Sequence, residues 1–99
     1  MHIVSRKKLL EFAEIRSDAA DSLDDWYRVA KSAEWVNLVN VRETYPAADI
    51  VGDFTVFNIK GNDYRLITSI VYMTQRIYIK YVLTHAEYDK DKWKNDPYY

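Results

Sequence analysis

The spacing of apolar residues changes character near Pro46. Before it they recur at intervals of three and four. Leu9, Leu10, Phe12, Ala13 and Ile15 predict a helix from a Ser5 cap to about Arg16. Asp18 is placed to cap a second helix, along which Ala19, Leu23, Trp26, Tyr27 and Ala30 form a broad stripe. Ser32 is placed to restart a third, shorter helix with Trp35, Leu38 and Val39 inward, stopped by Tyr45-Pro46. Ahead of these, residues 1–4 read as a short β-like start.

After Pro46 the alternation is in twos. Residues 54–59 predict a strand, Gly61-Asn62-Asp63 a turn, and residues 64–73 a second strand, apolar on both sides as a central strand should be. Thr74-Gln75 makes a reversal. Residues 76–83 predict a third strand, with Ile77, Ile79, Tyr81 and Leu83 on a buried face and Arg76, Tyr78, Lys80 and Val82 on the other. Thr84-x-x-Glu87 matches a capping box, so a closing helix is expected from here to Trp93 or Lys94, before Pro97. The expected class is α+β: a short N-terminal strand, a helical hairpin with a third helix, an antiparallel sheet and a C-terminal helix, in one domain over residues 1–99.

Composition narrows the chemistry. There is no cysteine, which removes disulfides, zinc ribbons and a thiol nucleophile from consideration. No apolar run is long enough to span a bilayer, and Arg6-Lys7-Lys8 follows the first four residues too closely for a signal peptide. The expectation is a cytoplasmic protein without a membrane partner. The net charge of −1 argues weakly against nucleic acid, but distribution counts for more than the total. Residues 1–50 hold seven Lys/Arg against nine Asp/Glu, and residues 51–99 hold seven against six. Seven of the nine tyrosines also fall in the second half, where they suit either half-buried strands or base stacking.

The second half also carries the side chains that RNA cleavage without a metal or other cofactor requires. A base must take the 2′-hydroxyl proton, cations must stabilise charge on the phosphorus, and an acid must protonate the departing 5′-oxygen. His85 is the natural proton carrier, Arg65 a planar phosphate fork, and Lys60 and Lys80 point charges. Lys60 and Arg65 flank one turn, Lys80 lies on the neighbouring strand, and His85 begins the closing helix, whose free N–H groups favour an anion. Tyr88 and Asp89 follow His85 at helical spacing, so Asp89 can orient the imidazole and Tyr88 can stack on a base or donate a proton. Each residue also has an ordinary reading. Arg65 can pair with Asp63 in the turn, Lys60 can be a solvated hairpin lysine, His85 a surface residue, and Glu87 only the capping partner. Trp26 and Trp35 read as core.

These segments resemble the HigB type of bacterial toxin, within the RelE-like group of messenger-RNA-cleaving toxins. The matching pieces are residues 1–4 with the following helix, Val56-Phe57-Asn58-Ile59-x-Gly61-Asn62-x-x-Arg65-Leu66, Ile79, and Thr84-His85-x-Glu87-Tyr88-Asp89. The resemblance covers nearly the whole chain. It implies a β-start, helices, an antiparallel sheet and a closing helix. It implies a toxin that cuts messenger RNA, usually in translating ribosomes. It also implies a HigA-like helix-turn-helix antitoxin, and operator DNA bound only through the toxin–antitoxin complex. The family's motif positions fall on Asn58, Arg65, His85, Tyr88 and Asp89.

The expectation is therefore a metal-independent endoribonuclease. Arg65 grips the scissile phosphate, His85 transfers a proton, Tyr88 positions a base, and Asn58, Lys60, Lys80 and Asp89 complete the RNA site. The products would be a 2′,3′-cyclic phosphate and a 5′-hydroxyl. Two rivals remain: a non-catalytic RNA- or protein-binding module that stacks bases on Tyr72 and Tyr78, and an inactive toxin relic that acts through its antitoxin.

Overall fold

In the computed structural model, which describes residues 1–99, three helices cover one face of a five-stranded sheet and the C-terminal segment covers the other. In chain order the elements are β1 (His2–Val4), α1 (Arg6–Ile15), α2 (Ala20–Ser32), α3 (Leu38–Thr44), β2 (Asp49–Val51), β3 (Phe54–Ile59), β4 (Tyr64–Val71), β5 (Arg76–Thr84) and α4 (His85–Asp89). The sheet order is β1-β5-β4-β3-β2. All neighbours are antiparallel except β1 and β5, which run parallel. The class is α+β, and β4 is the central strand that its apolar composition required.

The helix-side core gathers Leu9, Leu23, Trp26, Phe57, Leu66 and Ile77. Burying a side chain of this size contributes roughly 1.5–3 kcal/mol. The opposite face holds a smaller cluster of Phe54, Val56, Ile67 and Trp93, with Tyr81, Leu83 and Tyr88 against it.

Local departures from the expected elements have physical causes. Asp18 does not cap the second helix; a 3₁₀ turn over Ser17–Ala19 precedes α2, and the Asp18 carboxylate is drawn to the β3–β4 turn. Ser32 ends α2 rather than restarting a helix. Asn37 is the cap of α3, its side chain accepting from the Asn40 N–H. Val39, expected to point inward, is 67% exposed. The sheet also has a strand the alternation did not signal: β2, three residues long, is joined to β3 through Gly52-Asp53, with Gly52 at φ 60°.

The largest departure is in β5. Ile67 pairs with Tyr81 and Thr68 with Ile79, so Lys80 has no opposite number. This one-residue bulge reverses the facing of everything after it. Ile77 and Ile79 lie in the helix-side core, whereas Tyr81 and Leu83 join the opposite cluster and Val82 returns to the helix side. The expected single buried face of Ile77, Ile79, Tyr81 and Leu83 is thus split between two cores.

The closing helix is also shorter than expected. α4 stops at Asp89, Asp91 takes a left-handed conformation at φ 59°, and a 3₁₀ turn over Lys92–Asn95 follows. The reversal lays Trp93, 4% exposed, onto Phe54 and Tyr88. Burial of that indole on an otherwise uncovered sheet face outweighs the few backbone bonds a longer helix would have made. No helix is long and apolar enough to cross a membrane.

Candidate active site

The β3–β4 turn and the start of α4 meet because of strand register. Tyr64 pairs with Thr84, and the His85 N–H, one residue further on, donates to the Asp63 carbonyl at 3.1 Å. The capping box is complete: Thr84 Oγ1 accepts from the Glu87 N–H at 3.1 Å and Glu87 Oε1 accepts from the Thr84 N–H at 3.0 Å. These bonds occupy the amides of 84, 85 and 87. The expected cradle of free helix-start N–H groups is thereby reduced, Ala86 being the first-turn amide that these bonds leave.

His85 is half exposed, and its Nδ1 stands 2.9 Å from Asp89 Oδ2. With a carboxylate holding Nδ1, Nε2 is the free nitrogen. An open hollow of about 490 Å³ lies beside the imidazole, lined by Arg16, Asn62, Asp63, Tyr64, Thr84 and His85.

Arg65 does not line this hollow. Tyr64 faces the helices, so Arg65, the next residue, faces the opposite side of the sheet. Its Nη1 donates to the Asn62 carbonyl at 3.0 Å and to the Tyr64 carbonyl at 3.2 Å, and its Nη2 to Asn62 Oδ1 at 3.4 Å. The anticipated turn pair with Asp63 is not formed. The guanidinium carbon lies 5.4 Å from the centre of the Tyr88 ring, which in turn stacks on Trp93 at 5.1 Å. Tyr88 therefore leaves the His85–Asp89 side of the helix and sides with Arg65. Burial pushes its phenol up, while the charges of Arg65 and Lys94 pull the other way. Asn58, the cross-strand partner of Arg65, is exposed. The imidazole and the guanidinium thus stand on two sides of one turn, the first exposed and the second half-buried, with Asn62 bonded to Arg65 and lining the hollow beside His85.

The two lysines are otherwise engaged. Lys60 Nζ donates to Asp18 Oδ2 at 2.9 Å and lies 3.9 Å from Asp63. The Tyr64 hydroxyl donates to the same Asp18 carboxylate at 2.8 Å. Hydrogen bonds from Lys60 and then Tyr64 hold Asp18 below the usual carboxylate range, and the same carboxylate holds Lys60 and Tyr64 above theirs. Lys80, at the bulge, lies 3.3 Å from Asp96 Oδ2 and 5.0 Å from the centre of the Tyr98 ring. The Tyr81 hydroxyl donates to the same Asp96 oxygen at 2.7 Å, and chiefly for that reason Asp96 is held low. Both lysines act as fasteners, Lys60 of the turn and Lys80 of the C-terminal segment, and neither lines the His85 hollow.

Tyr72, offered above as a stacking platform, is half-buried against the helix-side core, its hydroxyl enclosed. No three carboxylate or imidazole groups gather as a metal-ligand set. Arg16 also lines the hollow, and no motif in the sequence pointed to it. Its place at the hollow depends on how α1 ends, which no local pattern around residue 85 can reveal.

Comparison with known proteins matches this chain to one family. The family model described as HigB_toxin, RelE-like toxic component of a toxin-antitoxin system, matches residues 19–91. The mRNA interferase HigB of Escherichia coli O6:H1 is 31% identical over 93 residues, covering 91% of this chain and 90% of that protein. The mRNA interferase toxin HigB of Escherichia coli K12 is 26% identical over 92 residues, covering 90% and 88%. The mRNA interferase HigB of Shigella flexneri matches to the same extent. A sheet backed by helices, a motif-bearing turn and a capped His-Glu-Tyr-Asp junction thus belong to a chain of the HigB family of RelE-like toxins of toxin–antitoxin systems.

Proposed function

We propose that this chain is a single-domain toxin that cleaves messenger RNA, with His85 as its proton-transfer residue. The observation that carries the reading is the 2.9 Å contact between His85 Nδ1 and Asp89, which leaves Nε2 free beside an open hollow. A protonated imidazole so held donates from Nε2 to the departing 5′-oxygen as the 2′-oxygen, its own proton passing to solvent water, attacks the adjacent phosphorus and the bond from phosphorus to the 5′-oxygen breaks. The products are a 2′,3′-cyclic phosphate and a 5′-hydroxyl. Arg65 makes three hydrogen bonds within the turn, and a guanidinium has five N–H donors, so two remain for a phosphate of the strand. Tyr88, held flat against Trp93 beside Arg65, positions a base, and Asn58 lies across the strand pair from Arg65 to contact the same RNA.

The names of the related mRNA interferases support this reading. So does family membership, which brings an antitoxin with it. The antitoxin in this proposal is HigA-like with a helix-turn-helix, and it supplies the operator contacts of the complex. The toxin works in the cytoplasm on translating ribosomes, where ribosomal RNA supplements a chain whose own net charge is only −1.

The test is the mapping of transcript 5′-ends after brief induction of the parent and of His85→Gln. Proton transfer of this kind is worth about 10²- to 10⁴-fold. New 5′-ends should fall at least 100-fold in the folded variant. Equal cleavage by His85→Gln rules the mechanism out. RNA or ribosome binding without any new ends from the parent would favour the non-catalytic module.

A further inference from the structure

We infer that Arg16 holds the scissile phosphate in the His85 hollow, as a binding residue that neither the motif segments nor the family's matched positions supply. This rests on the nuclease reading above and adds to it a cation that shares the imidazole's hollow.

Four observations converge. First, Arg16 and His85 line the same hollow, whereas Arg65 lies on the other side of the turn. Second, the backbone fixes where Arg16 stands. It ends α1, its N–H donating to the Phe12 carbonyl at 2.8 Å, and its φ of −119° and ψ of 80° turn the chain off the helix axis. Two residues later Asp18 is fastened to Lys60 and Tyr64 of the β3–β4 turn. The segment carrying Arg16 is therefore pinned against the turn that carries Asn62.

Third, Arg16 is exposed and has no carboxylate within ion-pair distance. Arg6, Arg28 and Arg42 are all paired, with Asp24, with Asp24 and Asp25, and with Asp49 respectively. Arg65 spends three bonds on the turn. Arg76 is the other unpaired arginine, but it sits at the far end of β5, about 26 Å along the strand from Thr84. Fourth, the charge of Arg16 is felt at Tyr64, whose phenol the Asp18 carboxylate nonetheless holds up, and, behind the bond from the Thr84 N–H, at Glu87.

The remaining lining suits a phosphodiester. Asn62 Oδ1 is taken by Arg65, which leaves its amide Nδ2 without a partner. Asp63, the one carboxylate in the lining, lies 3.9 Å from Lys60. A guanidinium and an imidazole lining one open hollow provide the fork that grips two phosphate oxygens and the proton for the third. Arg65 and Tyr88, across Asn62, then hold the neighbouring part of the strand.

The experiment measures messenger-RNA cleavage in a translating extract by Arg16→Ala, Arg16→Gln, Arg16→Lys and, as a control, Arg76→Ala. Loss of a charge-assisted phosphate contact predicts a 10- to 100-fold slower cleavage for Arg16→Ala. Arg16→Gln, of similar size but neutral, should be as slow; Arg16→Lys should recover part of the rate; Arg76→Ala should match the parent. Thermal unfolding of all four should stay near the parent, because Arg16 makes no ion pair within the fold. Cleavage within twofold of the parent by Arg16→Ala or Arg16→Gln overturns the inference. His85→Gln separates the two claims: if it is inactive while Arg16→Ala is fully active, the nuclease reading stands and the role of Arg16 falls.

Discussion

His85 Nδ1 and Asp89 Oδ2 lie 2.9 Å apart across the single turn of a helix only five residues long. So short a helix is held by its ends: the Thr84–Glu87 box at the start and the Trp93 Nε1 donation to the Tyr88 carbonyl, at 3.0 Å, beyond its end. In the proposed mechanism Asp89 acts through His85 rather than on RNA.

Asp89→Asn should therefore slow messenger-RNA cleavage about tenfold or more while the protein keeps its fold and its antitoxin complex. An amide can present a donor where the carboxylate presented only acceptors, so the imidazole loses its fixed orientation. Timed primer extension on a translated message measures the rate. Parental cleavage by a folded Asp89→Asn variant would remove Asp89 from the mechanism.

The bulge at Lys80 makes a second prediction. Lys80→Ala should fold and lose only the ties to Asp96 and to the Tyr98 ring, which loosens residues 92–99. Insertion of one residue after Lys80 should be far worse, because it shifts the register by one and sends Tyr81 and Leu83 toward the helices and Val82 toward the C-terminal segment. Deletion of Lys80 closes the bulge and leaves Tyr81, Val82 and Leu83 facing as before. Chemical denaturation should show a cooperative transition for the substitution and the deletion and none for the insertion. A cooperative, parent-like transition in the insertion variant would mean that the facing of these residues is not required.

Acid should weaken the molecule at three identifiable ties. Asp18 is held low chiefly by Lys60 and Tyr64, Asp96 chiefly by Tyr81, and Glu87 chiefly by the Thr84 N–H. A depressed carboxylate contributes stability that is present above its ordinary value, 3.8 for the aspartates and 4.5 for Glu87, and lost as pH falls through the lower folded value. Melting temperature should thus be flat near neutrality and drop below about pH 4. Asp18→Asn should start less stable and show a shallower acid decline. Lys60 and Tyr64 carry the opposite sign: their contribution is complete below their ordinary values and fades as pH rises through the raised ones. An acid decline in Asp18→Asn as steep as the parent's would show that the tie to the turn is not formed.

What the sequence determined by itself is what short-range patterns encode. The three-to-four spacing of α1 and α2, the alternation of β3, the apolar centrality of β4 and the Thr84-x-x-Glu87 box each depend on residues within one or two turns of one another. The His85–Asp89 pair was legible for the same reason, since four residues on a helix always bring side chains together. Tertiary structure decided everything that depended on long-range competition. Whether Asp18 capped a helix or bound Lys60 and Tyr64 turned on partners more than forty residues away. Whether the last helix continued turned on an uncovered sheet face that Trp93 could bury. Whether Arg65 or Arg16 shared a hollow with His85 turned on pleat direction and on the angle at which α1 ends, and neither is written in the residues near either arginine.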